Sequence, residues 1–143
     1  PAVFTCEEAE AHVPEMEGAK TKNLFLRDRK GTRHFLVVVG YDKSADLNAL
    51  SKVLGCSKLS LGSPQRLADR LGVIPGSVTI LALLNDTERQ VELVLDKPID
   101  EADSLCCHPL VNTATVSLRR AELDRFLELT GHRPRVVDVP ARE

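Results

Sequence analysis

The chain has 143 residues, 43% apolar and 28% charged, with a net charge of −2, which suits one globular domain with one core and lies far from disordered or collagen-like compositions. Aromatic residues make up 3%, with no Trp and one Tyr, so the core is expected to be aliphatic, and aromatic platforms for stacking bases are disfavoured. The longest apolar run, Val78 to Leu84, is far shorter than the ~20 residues of a spanning helix; with no signal-peptide pattern and no CxxC among the four cysteines, a reduced, cytoplasmic setting is expected.

In chain order, residues 1–19 carry five acids, Glu7, Glu8, Glu10, Glu15 and Glu17, and no Lys or Arg. Thr5 ahead of these acids predicts a short capped helix. The charge then inverts: Lys20, Lys22, Arg27, Arg29, Lys30 and Arg33 follow within fourteen positions, opposed by Asp28 alone. "KNLFLRD" and "RHFLVVVG" predict a strand pair turning near Lys30 and Gly31. "SADLNALSKVLG" switches to helical period, with Ser44 or Asp46 as cap and Gly55 as stop. "SPQRLADRLG" repeats that plan, with Ser63 as cap, Pro64 in the first turn and Gly72 at the end. "SVTILALLN" and "QVELVLD" read as strands around a turn at "NDTER", although periodicity alone also allows a helix over Ile80 to Leu84. "TATVSL" predicts a strand leading into a helix capped by Ser117, with Leu123, Phe126, Leu127 and Thr130 on one face and Gly131 at its end. "RVVDV" is a last strand. The interspersed elements lack strict βαβ alternation, which predicts a mixed sheet in an α+β domain.

No P-loop, G-x-S-x-G, H-E-x-x-H or G-x-G-x-x-G is present. "LCCHP" brings together Cys106, Cys107 and His108, but neighbours on a strand point to opposite faces, and a zinc site needs spaced ligand pairs, so the cysteines read as strand hydrophobes. The same adjacency does not make Cys107 and His108 a nucleophile and base. Alternation sets Lys22, Leu24 and Leu26 on one strand face and Asn23, Phe25 and Arg27 on the other. Lys22 either stands at the mouth of a cleft or extends to solvent. "VIPGSVT" offers a turn at Pro75 and Gly76 with Ser77 beside it, and "HPLVNTAT" offers His108, Asn112 and Thr113 near a strand start, with Pro109 fixing the backbone.

Taken together, "TKNLFL", "LSLGS", "LGVIPGSVTILALLND", "VLDK" and "HPLVNTATVSL", in this order, resemble the prolyl-tRNA synthetase-associated editing domains, in particular the free-standing deacylases of Ala-tRNA(Pro). The resemblance runs from about Thr21 to Asp138. It implies a partly open, mixed β-barrel with surrounding helices, α+β in class, forming a single editing domain over 1–143. It implies hydrolysis of the ester that joins a wrong amino acid to the 3′ end of tRNA(Pro), with no metal or other cofactor. The family's key lysine falls on Lys22, with Asn23 beside it; its pocket loop falls on Gly76 and Ser77, and its "HP" element on His108 and Pro109, with Asn112 a further substrate-binding candidate. Lys20, Arg27, Arg29, Lys30 and Arg33 are the expected landing surface for the acceptor end of tRNA(Pro), and prolyl-tRNA synthetase is a further expected partner, whereas DNA and membrane are not. Relatives begin with an additional helix and strand that this sequence, starting at Pro1, is expected to lack. The alternatives are a non-catalytic tRNA- or synthetase-binding module of the same fold and a deacylase for Ser-, Thr- or Cys-charged tRNA.

Overall fold

The computed structural model describes residues 19–74, 78–107 and 116–142; the expected helix after Thr5 lies outside them. Seven strands form one mixed sheet: β1 (Ala19–Arg27), β2 (His34–Gly40), β3 (Ser60–Leu61), β4 (Val91–Asp96), β5 (Ser104–Cys107), β6 (Val116–Arg119) and β7 (Arg135–Val137). The order is β6-β5-β1-β2-β4-β7, with β3 added to β1. β1 runs antiparallel to β2 and β3, and β5 antiparallel to β6, while β1–β5, β2–β4 and β4–β7 are parallel. The result is a mixed half-barrel carrying helices, the α+β arrangement expected.

The helices follow their sequence punctuation. α1 (Leu47–Leu54) is capped by the Asp46 carboxylate, which accepts from Ala49 N–H at 3.1 Å. α2 (Pro64–Leu71) is capped by Ser63 Oγ, which accepts from Arg66 N–H at 3.1 Å, and it stops at Gly72 with φ 69°, a left-handed turn that glycine adopts without a Cβ clash. A single turn, α3 (Lys97–Asp100), follows β4, and α4 (Arg120–Thr130) follows β6.

Two expectations are corrected. Ile80–Asn85 is a 3₁₀ helix rather than a strand. Thr79 Oγ accepts from Leu81 N–H at 3.3 Å and starts the turn, and the three-residue period then buries Ile80 and Leu83 together. Ser117 does not cap α4, because its ladder position opposite Cys106 holds it in β6, which runs through Arg119. The first turn of α4 is closed instead by Glu122 Oε1, which accepts from Arg119 N–H at 3.1 Å.

Because β2 is covered on both faces, nearly every residue in it is buried. One face joins Phe25, Leu36, Val38, Leu93 and Leu95 to Leu67 and Leu71 of α2, the 3₁₀ helix and Leu123 and Leu127 of α4. The other joins Leu26, Phe35, Val37, Val39 and Val94 to Leu50 and Leu54 of α1, with Leu24 packed at its edge. The last described stretch straps across this second layer. Asp96, 1% exposed, accepts from Val139 N–H at 2.9 Å and pairs with Lys43 Nζ at 2.7 Å. Asp46 N–H then donates to Pro140 O, and Arg142 N–H to Ser44 O.

Replacing Asp96 with Ala removes one partner of a buried pair and orphans the Val139 amide. Urea unfolding should register a loss of about 3–5 kcal/mol, whereas Glu92→Ala, which breaks the half-exposed pair with Arg33, should cost no more than about 1 kcal/mol.

Candidate functional site

β1 pairs with β2 from Thr21↔Gly40 to Arg27↔His34. Its opposite edge is divided: β5 takes one end at Ala19 and Lys20, and β3 takes the other at Leu26 and Arg27. Among the described strands none pairs with Lys22, Asn23 or Leu24 on that edge. Thr21 Oγ reaches across to Cys106 O at 3.0 Å, and Gly62 N–H donates to Phe25 O at 2.9 Å. Between these two ties the sheet parts.

Lys22 stands beside this parting on the α1 face. It lines a cavity of about 570 Å³ with Leu24, Leu47, Leu59, Leu61, Lys58 and Arg142 among its walls, a volume in the range of small-molecule sites. Of the two readings of Lys22, the cleft is the one this geometry supports. Lys58 and Arg142 are additional cations that no local motif marks. Arg142 arrives through the C-terminal strap, from the far end of the chain. Among the described residues of its lining Asp46 is the one carboxylate, and it is held by its cap to Ala49.

Asn23 faces the other way, opposite Val38 on the larger core's side. Its side-chain oxygen Oδ1 is buried without a hydrogen-bond partner among the described residues. Gly76 and Ser77 of the expected pocket loop, and His108, Pro109 and Asn112, lie outside the described residues. Of the described residues near them, Val73 and Val78 beside the loop and Leu105 and Leu118 beside the second stretch pack in or against the core on Asn23's face, whereas Ile74 is exposed. Lys22 and Asn23 thus address opposite faces of one strand, on either side of the parted edge. No group of three metal-ligating side chains occurs among the described residues; Cys106 is a buried member of β5.

The expected tRNA-facing cations divide in two. Lys20 lies near Lys22, whereas Arg27, Arg29 and Lys30 lie at the far end of β1, ~17 Å away at ~3.3 Å per residue. The hairpin loop is held by Asp28, which is buried and accepts from Thr32 N–H at 2.9 Å and Arg33 N–H at 3.1 Å. Burial pushes the Asp28 carboxyl up, but the hydrogen bonds from Arg33, Thr32 and Gly31 outweigh it and hold the pKa below its ordinary value. Arg33 is engaged elsewhere, with both ends of its fork on Glu92 at 2.8 and 2.9 Å and its guanidinium 4.9 Å from the Phe35 ring centre.

His34, 1% exposed, stacks on Phe25 with ring centres 5.7 Å apart. Its Nε2 lies 3.1 Å from Arg66 Nη1; since a guanidinium only donates, Nε2 accepts and the ring is neutral. Burial first, then the charges of Arg70 and Arg66, lower its pKa.

The description "Aminoacyl-tRNA editing domain" belongs to the family model that matches residues 1–126. Prolyl-tRNA synthetase associated domain-containing protein 1 of Danio rerio is 46% identical over 136 residues, covering 94% of this chain and 73% of that protein. Prolyl-tRNA editing protein ProX of Acetoanaerobium sticklandii is 36% identical over 137 residues, covering 96% and 84%. Among solved structures, a hypothetical protein superposes with a TM-score of 0.75 at 24% identity over 97% of this chain and 85% of that one. A proposed trans-editing enzyme for prolyl tRNA synthetase superposes at 0.67 with 21% identity over 98% and 82%. These two likenesses establish the fold. Among the described residues no helix is long and apolar enough to cross a membrane.

Above pH ~6.5, the ordinary histidine value, His34 is neutral whether the chain is folded or unfolded. Below it, the unfolded chain takes up a proton that the folded site resists, so stability falls as pH falls. Melting curves at pH 7.5 and 5.5 should therefore diverge more for the native chain than for His34→Gln.

Proposed function

The chain belongs to the aminoacyl-tRNA editing domain family, and on that premise we propose that it clears wrong amino acids from tRNA(Pro) by hydrolysing the aminoacyl ester, with alanine as the preferred target. The observation that carries this reading is Lys22, standing on an open, cation-lined cavity where none of the described strands pairs with the outer edge of β1. A cavity of about 570 Å³ exceeds the size of alanine and of proline alike, so it does not discriminate between them. It suits the terminal nucleotide, whose apolar base would lie along Leu24, Leu47 and Leu59 and whose phosphate would meet Lys22, Lys58 and Arg142.

The aminoacyl group would then pass over the parted edge to the Asn23 side. There the unpartnered Oδ1 would accept a hydrogen from the substrate's amino group, and main-chain groups around Gly76 and His108, with Ser77, Pro109 and Asn112 beside them, would close a small pocket that crowds out the proline ring. Size alone separates alanine from serine weakly, because one hydroxyl makes little difference in an apolar slot.

The ester is already activated, so no covalent nucleophile is required. Water adds to the carbonyl carbon, the Lys22 ammonium stabilises the oxyanion that develops, and the C–O bond to the ribose breaks. The ribose oxygen takes a proton, and the free amino acid and intact tRNA leave. We place this reaction in the cytoplasm, on tRNA(Pro) charged in error by prolyl-tRNA synthetase.

Lys22→Ala should lower kcat/KM for Ala-tRNA(Pro) by about 10²–10³-fold, the usual effect of losing one oxyanion donor, while the melting curve stays close to that of the native chain. Undiminished release of alanine would remove Lys22 from the chemistry, and comparing Ala, Ser, Thr, Cys and Pro esters on one tRNA fixes the specificity. Asn23→Leu tests the other face. Removing an unsatisfied buried acceptor should raise stability by about 1 kcal/mol or more while deacylation falls, and a variant that gains stability at full activity would free Asn23 of any substrate role.

A further inference from the structure

Some of the described arginines are matched to carboxylates and others are not. Arg33 pairs with Glu92, and Arg120 pairs with Asp100 and Asp124 at 2.7 and 2.9 Å. At the hairpin end of β1 the partners are neutral. Arg27 donates to the carbonyls of Asp28 and Arg29, and Arg66 donates to Gly31 O at 3.2 Å and to the His34 ring. Arg70 lies one helical turn beyond Arg66 and lines with it a surface cavity of about 470 Å³. Among the described residues, no carboxylate lies within ion-pair distance of Arg27, Arg66 or Arg70.

The acids close enough to matter are committed. Asp28 accepts the loop amides, and Asp69, in the same cavity, accepts from Gln65 Nε2 at 2.8 Å. His34 lies among these charges: burial first, and then Arg70, Arg66 and Arg27, lower its pKa, while Asp28 acts the other way. Exposed Arg29 and Lys30 extend the face into solvent. Arg27, Arg29, Lys30, Arg66 and Arg70 outnumber Asp28 and Asp69, so the described part of this face is net positive, and a polyanion laid across it relieves the repulsion and releases its own counterions.

We infer that Arg66 and Arg70 of α2, with Arg27, Arg29 and Lys30 of the hairpin, form a second nucleic-acid contact that receives the phosphate backbone of the base-paired acceptor stem. This rests on the reading above, in which the 3′ terminus lies at Lys22. The face sits ~17 Å further along β1, beyond a single terminal nucleotide, so what meets it is RNA set back from the end. Contacts of this kind position the substrate without reading its sequence. The two sites divide the work: one holds the terminus, and the other fixes the angle at which the stem approaches.

The test uses the full chain, an RNA hairpin carrying the tRNA(Pro) acceptor stem with its single-stranded 3′ end, and that 3′ end alone as a short oligonucleotide. Arg70→Gln and the double variant Lys30→Gln/Arg70→Gln are the reporters, because among the described residues neither side chain has a hydrogen-bond or ion-pair partner; melting curves confirm that both variants fold. Hairpin affinity should fall several-fold with each charge removed. The slope of log affinity against log salt should become shallower by about 0.9 per lost contact. Affinity for the short strand should hold, and deacylation should show a raised KM with kcat unchanged. Wild-type hairpin affinity and slope in the double variant would overturn the inference, as would an equal loss on the short strand, which would assign these cations to the 3′ end. Charge-dependent hairpin binding by a chain that hydrolyses no ester would remove the proposed reaction and leave this surface standing.

Discussion

A single strand, β1, belongs to both halves of the sheet, and the division of its outer edge between β5 and β3 governs the rest of the molecule. An edge strand with free backbone groups is normally covered or blunted. Here the edge is tied at both ends and parted in the middle, at Lys22 to Leu24. Register with β2 fixes which side chain goes where: Lys22 opposite Val39 turns to the α1 layer, and Asn23 opposite Val38 turns to the larger core. Slipping that register by one residue would exchange the two faces and bury an ammonium among aliphatic side chains. Since β2 is apolar on both faces and accepts either register, it is the polar residues of β1, Lys22 and Asn23, that set the register.

The Lys22 cavity depends on chain segments that are far apart in sequence. α1 supplies one wall, the stretch from Lys58 to Leu61 another, and the C-terminal strap brings Arg142. The strap lies flat because Asp96, at the end of β4, accepts the Val139 amide on one oxygen and Lys43 on the other, while Lys43 also donates to Val139 O at 3.0 Å. A carboxylate buried in the sheet therefore places a guanidinium at the rim of a cavity on the surface.

What was legible in the sequence was what local chemistry decides. The β1–β2 hairpin turns around Gly31 with φ 72°, and both α1 and α2 begin at the residues whose side chains can accept an amide. The 3₁₀ helix was ambiguous because "ILALL" satisfies either period, and the choice is made by the Thr79 cap and by what Ile80 and Leu83 pack against. Ser117 was misread because capping propensity competes with a ladder partner that lies eleven positions away and is not visible locally. In the site, alternation alone separated Lys22 from Asn23. Lys58, Arg66, Arg70 and Arg142 carry no signal of their own; each becomes meaningful only when β3, α2 and the strap are brought beside β1.

Net charge misjudges this chain for a related reason. A total of −2 suggests indifference to RNA, yet many of its acids face inward or sideways. Asp28 holds the hairpin loop; Asp86 accepts from Gln90 N–H at 3.0 Å, Val91 N–H at 2.8 Å and His132 Nε2 at 2.8 Å; Asp96 holds the strap, and Asp46 caps α1. Glu92, Asp100 and Asp124 are matched to arginines. The carboxylates of Asp96, Glu92, Asp100 and Asp124 are paired with cations, so their fields fall off quickly outside the fold, whereas among the described residues no carboxylate lies within ion-pair distance of Arg27, Arg66 or Arg70. Once a polyanion comes within a Debye length, ~8–10 Å, of one face, it experiences the charges of that face rather than the sum over the chain. A chain that is acidic overall can therefore present positive faces along one strand, because several of its acids are matched to cations elsewhere in the fold.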